Sequence, residues 1–179
     1  MPLPHIGAIQ REKTAMSVRK FSVAAAMSVL LPFAASAQTP AALPPYGPGI
    51  SLEVAKKLTA AAEAEATKRG WQMVIAVVDS GGRLVAFERM DNAQLASIDI
   101  AISKAVTANA VKRPTKALQD SVAPGSSTPR MSGLPGITPI DGGLPIVVDG
   151  RIVGAIGAAG GASNQDGEIA AAGLAAAGQ

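Results

Sequence analysis

Lys104 sits between Ile102 and Val106 in an otherwise apolar stretch, a setting that demands a partner for its charge. A lysine so placed forms a structural salt bridge or snorkels to the surface or, in a pocket, serves as a base or ligand clamp. Asp79, Arg83, Glu88, Arg89 and Asp91 bring both signs of charge together in a second stretch. That set could do acid–base chemistry, or simply form solvated pairs at the ends of a hairpin. Thr107, Thr115, Ser126, Ser127 and Thr128 supply hydroxyls, which taken singly bond the local backbone. The glycine-rich run 154–161 lacks the strand–helix crossover of a dinucleotide cradle. Its glycines therefore read as points of close backbone approach.

Several chemistries are excluded by what the working chain lacks. Residues 1–37 read as an export signal: Arg19-Lys20, an apolar run Phe21–Ala35, then Ala35-Ser36-Ala37 with cleavage about Ala37/Gln38. Met16 offers a second start, which would make 1–15 an over-called beginning. The expected destination is periplasmic or secreted. The apolar run is shorter than the roughly 20 residues that span a bilayer, so no stable membrane insertion is expected. Cleavage removes His5, the single histidine, and the chain has no cysteine. Disulfides, His or Cys metal sites, Ser–His triads and thiol nucleophiles are thereby excluded from the mature form, and no metal site is expected. Cleavage also takes four bases and one acid from the 16 and 13 of the whole sequence, which leaves 12 of each. That neutral balance offers no electrostatic footprint for nucleic acid.

The elements that must position these residues are legible in outline. Residues 38–49, with Pro40, Pro44, Pro45 and Pro48, read as a Pro/Ala-rich tether, and 50–179 as a single domain. Ser51 opens a helix to about Lys68, closed by Gly70. Two hairpins follow from apolar runs flanking Asp- and Gly-containing turns, one over 73–89 and one over 142–157. Between them Asp91 or Asn92 caps a helix over 94–110, with Ile98, Ile102 and Val106 on one stripe, and a short helix runs from Thr115 to Val122. A Gly/Pro-rich loop over 123–136, a short strand at 137–140 and a final helix capped by Ser163 or Asn164 complete the chain. This order predicts an α+β fold, its sheet mainly antiparallel with helices on one face.

These residues resemble the GlcG/HbpS-like family. The resemblance lies in Ala76-Val77-Val78-Asp79 with Gly81-Gly82, Arg89-Met90-Asp91, Lys104-Ala105 with Thr107-Ala108, and Pro114-Thr115. It continues through Leu134-Pro135-Gly136, Gly142-Gly143 with Pro145-Ile146, and Val153-Gly154-Ala155-Ile156-Gly157, in register over about 50–178. It implies a five-stranded antiparallel sheet with helices, assembly into dimers or larger rings, and in some members haem bound at the surface. It also points to a threonine as a haem contact, matched here by Thr107 and Thr115, with Lys104, Arg89 and Met90 as further candidate ligand residues. Members that use histidine for haem differ from this mature chain, which has none.

Three functions are compatible with this reading. The first is an exported binding protein for haem or a related tetrapyrrole or other small ligand, acting as scavenger, sensor accessory or slow haem degrader. The second is a small-molecule enzyme using Lys104 with Asp79 or Asp91 under a lid formed by 123–136. The third is a non-catalytic oligomeric interaction protein. A binding protein is favoured over a true enzyme. A homo-oligomer is expected as well, because helices on one face would leave the Val, Ile, Ala and Gly side chains of the other uncovered. Gly154–Gly161 would then lie at or near the interface.

Overall fold

Ser51 and Gly70 frame the first helix, α1 (Leu52–Arg69): the Ser51 hydroxyl accepts from the Val54 N–H at 3.3 Å, and Gly70 ends it at φ 70°. The protein is described here by a computed structural model covering residues 42–126 and 133–178. The expected signal segment, the start of the tether and Ser127 and Thr128 of the expected lid lie outside the described residues. Next come β1 (Val74–Asp79), β2 (Leu84–Arg89), α2 (Ala96–Val111) and α3 (Thr115–Val122). After the loop come β3 (Gly143–Val148), β4 (Arg151–Ala159) and α4 (Ser163–Ala175).

Both hairpins form as their turn chemistry demands. Asp149 and Gly150 take φ 48° and 72°, the paired left-handed geometry that joins two strands through two residues. In the first hairpin, Asp79 Oδ1 accepts from the Gly81 and Arg83 N–H groups, each at 2.9 Å, and the register shifts at Val77/Val78. Asp79 is thus a turn builder.

The sheet is antiparallel, with order β2-β1-β4-β3. It has four strands among the described residues, not five. The strand expected over 137–140 does not form, because Thr138 gives its N–H to the Thr107 hydroxyl at 2.9 Å and Ile140 N–H turns back to the Thr138 carbonyl. Beyond the end of β1, the segment Pro45–Ile50 bonds to Ile152 and Val153 instead.

Helices cover both faces of the sheet, which corrects the expectation of one. On one face Leu58, Ala62 and Ala66 of α1 and Ile169 and Ala170 of α4 pack on Ile75, Val77, Ile146 and Ile156. On the other, Ala101, Ala105 and Ala108 of α2 pack on Val74, Ala76, Val78, Ala155 and Ala159. This second contact is close because both surfaces are small. A side-chain carbon on Gly157 would run into the Ala101 carbonyl oxygen and lie 2.7 Å from the Ala105 nitrogen. The stripe turned to the sheet is therefore the alanine stripe, while Ile98, Ile102 and Val106 stay half-buried on its flank.

The covered second face removes the premise on which an interface at Gly154–Gly161 was expected. Gly154 and Gly157 are buried within the subunit, Gly154 against the Val78 carbonyl and Gly157 against α2.

Two caps also differ from expectation. Asn92 sits in a turn at φ 63°, and α2 begins after Leu95 with no side-chain cap. Ala162 precedes α4, and Gln165 reaches back to accept from the Ala162 N–H at 2.9 Å.

Candidate functional site

Lys104 has a carboxylate partner, though neither of those anticipated. Its Nζ lies 2.6 Å from Asp166 Oδ2 and donates to the Ala158 carbonyl at 3.2 Å, with the lysine 1% exposed. Asp166 Oδ1 accepts from the Gly161 N–H at 2.9 Å. Burial pushes the Asp166 carboxyl above its ordinary value, against the Lys104 ammonium and the Gly161 N–H, which pull it down. With the ammonium sealed in a pair, Lys104 has neither a free lone pair nor access to a ligand. Asp166 was missed in the sequence; its signal was a lone aspartate in the first turn of an Ala-rich helix.

Thr107 and Thr115 are also buried, and both hydroxyls are engaged. Thr107 Oγ1 accepts from Thr138 N–H, and Thr115 Oγ1 accepts from Gly143 N–H at 2.8 Å. Ser103 and Thr138 share a hydroxyl bond at 2.5 Å beside them. Lys104, Thr107 and Thr115 therefore converge on the segment 138–143 and the end of β4, where they satisfy buried backbone. None of the three side chains faces solvent.

Arg89 and Met90 diverge from those three and from each other. Arg89 lies opposite Val74, on the α2 side of the sheet, and is exposed. Met90 packs with the α1 side, where its Sδ accepts from the Met73 N–H at 3.4 Å. There Met90 lines a cleft of about 310 Å³ with Glu63, Thr67, Trp71, Gln72 and Asp91. That cleft carries carboxylates. Burial and the neighbouring Glu88 hold the Glu63 carboxyl above its ordinary 4.5.

The Arg89 side has the opposite character. Phe87 and Leu84 lie opposite Ala76 and Val78 on the same sheet face, at the β2 edge, and remain 36% and 50% exposed. Ile98 and Ile102 pack on the cluster containing Val74 and Ala76, and Leu95, 74% exposed, continues their stripe. This stripe borders the first hairpin, because Asn109 farther along it donates from Nδ2 to the Ser80 carbonyl at 3.1 Å. The step from the flank of α2 down to the β2 edge thus presents an apolar surface, here called the groove, with Arg89 at the end of β2. Among the described residues no carboxylate pairs with that guanidinium. The grouping was invisible in sequence, although Phe87 is one of only three aromatics after residue 37.

No group of three or more acidic, His or Cys residues that could hold a metal is present among the described residues, and no helix there is long and apolar enough to cross a membrane. A tetrapyrrole's apolar ring and carboxylates fit the groove in kind. An axial metal ligand drawn from Lys104, Thr107 or Thr115 does not fit, since all three are buried and bonded.

Comparison with known proteins agrees with this fold. Residues 50–175 match the family described as haem degrading protein HbpS-like. Protein GlcG of Escherichia coli K12 is 39% identical over 108 residues, covering 60% of this chain and 79% of GlcG. The crystal structure of Klebsiella pneumoniae protein ORFY superposes with a TM-score of 0.71 at 33% identity, covering 74% of this chain and 92% of that one. A crystal structure of a PduOC–haem complex gives a TM-score of 0.68 at 32% identity, covering 72% and 94%. With the antiparallel sheet and its helices matched over nearly all of the described residues, this chain belongs to the HbpS-like family.

Proposed function

We propose that this protein binds haem or a related tetrapyrrole in the groove between α2 and β2. The observation that carries this reading is that Leu84, Phe87, Leu95, Ile98 and Ile102 share one side of the sheet as an apolar surface, with Arg89 at the end of β2. A planar ring with carboxylate arms buries its face against such a surface and sets a carboxylate on the guanidinium. Family membership and the haem complex of PduOC support the ligand class. Binding is proposed ahead of catalysis, because the lysine expected to act as base is sealed in an ion pair. Slow haem degradation or a sensor-accessory role would follow from binding.

Titration of the purified protein with haemin should give a saturable Soret shift, weakened about tenfold or more by Phe87→Asp or Ile102→Asp. A titration indistinguishable from that of a non-binding control protein would overturn the reading.

Export belongs to the same proposal and is supported by the features of residues 1–37. Mass spectrometry of the protein from its host should find an N-terminus at Gln38. Homo-oligomers are proposed from a different surface than first expected, the β3–β4 hairpin tip, where Val147 and Val148 are exposed. Light scattering tests this, and a monomer mass at micromolar concentration would exclude it.

A further inference from the structure

We infer that this chain recognises the ring face and carboxylates of a tetrapyrrole and not its central metal, so that a metal-free porphyrin binds as tightly as the iron complex. This inference rests on the reading proposed above. It comes from where Lys104, Thr107, Thr115 and Met90, the candidate ligand residues that carry electron pairs, spend them.

Lys104 Nζ could coordinate a metal only after losing its proton and leaving Asp166, from which it stands 2.6 Å. That would strand a buried carboxylate. Thr107 and Thr115 accept from backbone N–H groups inside the subunit and have no exposed surface. Met90 faces the α1 side of the sheet, and its sulfur is shared with the Met73 N–H.

The groove is composed differently. Leu84, Phe87, Leu95, Ile98 and Ile102 have no side-chain lone pair to offer a metal. The Arg89 guanidinium offers N–H donors and no acceptor. Burial of an apolar face does not depend on what stands at the ring centre. The guanidinium meets the ring's carboxylates, which are the same with or without iron. A protein that held haem through an axial side chain would instead favour the iron complex strongly, because the coordinate bond vanishes with the metal.

The whole chain is titrated in parallel with haemin, followed by the Soret band, and with protoporphyrin IX, followed by its fluorescence. The dissociation constants should agree within about threefold, and Arg89→Glu should weaken both by a similar factor of about ten. Protoporphyrin dimethyl ester should bind less well than the free acid and be indifferent to Arg89→Glu. Haemin binding about tenfold or more tighter than the metal-free ring would overturn the inference while leaving the proposed function standing. So would a bound-haemin spectrum showing low-spin nitrogen or sulfur ligation. Failure of both ligands to bind would overturn the proposed function, and this inference with it.

Discussion

Lys104 and Asp166, 62 positions apart in the chain, meet at 2.6 Å almost out of reach of solvent. The contact joins α2 on one face of the sheet to the first turn of α4 on the other, beside the end of β4. The remaining polar atoms are also used: the ammonium donates to the Ala158 carbonyl, and the carboxylate accepts from the Gly161 N–H. An anion in the first turn of α4 is favoured by the helix dipole as well. These satisfied partners are what make a buried pair tolerable, since desolvation of two charges otherwise outweighs their attraction.

Breaking one side of this pair should be costly. Lys104→Met leaves the Asp166 charge buried without a cation and should cost about 3–5 kcal/mol in urea-induced unfolding. Replacing both partners, in Lys104→Met with Asp166→Leu, should recover most of that loss. If Lys104→Met alone unfolds at the wild-type midpoint, the pair has no structural role.

Thr115 offers a cleaner separation of structure from binding. Thr115→Val removes the acceptor for the buried Gly143 N–H and should destabilise the protein by about 1–3 kcal/mol. Thr115→Ser should restore most of it. Haemin affinity should stay within about twofold of wild type in both variants. A loss of affinity in Thr115→Val without a loss of stability would return Thr115 to the role of ligand contact.

The hairpins and the ends of α1 were legible because their chemistry is local. Asp149-Gly150 and Ser51 carry their own backbone instructions. The second layer of helices was not legible, because periodicity finds an apolar stripe without saying which flank meets the sheet. In α2 the bulky Ile98, Ile102 and Val106 drew attention, yet the small stripe of Ala101, Ala105 and Ala108 does the packing. The strand expected at 137–140 failed for a related reason: Ile137 and Ile140 suit a strand, but the Thr107 hydroxyl, 31 positions away, takes the Thr138 N–H. That Lys104 needs a partner is legible from its apolar neighbours, while the partner's identity, Asp166, depends on the tertiary fold. Arg89 and Met90 are neighbours in sequence yet lie on opposite sides of the sheet, because successive strand residues point to opposite faces.

Glu63 gives a pH signature. Burial, then the charge and hydrogen bond of Glu88, raise its carboxyl above the ordinary 4.5. The folded state therefore holds a proton that the unfolded chain releases sooner. The resulting stabilisation is present below about 4.5 and is lost as pH rises through the elevated folded value. Glu63→Gln should unfold at a higher urea concentration than wild type at neutral pH, with the difference vanishing near the ordinary glutamate value. A difference that instead grows as the pH falls would contradict this assignment.

Gly157 controls how close α2 comes to β4. It sits opposite Ala76 in β1 and Gly143 in β3, in the middle of the sheet face that α2 covers. Any side chain there meets the backbone of α2 at Ala101 and Ala105, which cannot rotate away as a flexible side chain would. Gly157→Val must therefore push the whole helix outward, separating Ala101, Ala105 and Ala108 from the strands and opening voids that small residues cannot fill. A loss of about 3 kcal/mol or more is expected by urea denaturation, at the upper end of overpacking costs. Because Ile98 and Ile102 ride on the same helix, the groove beside β2 would change shape too, and haemin affinity should fall in whatever fraction remains folded. Gly154→Ala, where the obstacle is the Val78 carbonyl, should also destabilise the subunit while leaving α2 and the groove in place. Wild-type haemin binding in folded Gly157→Val would mean that the groove does not depend on the seating of α2.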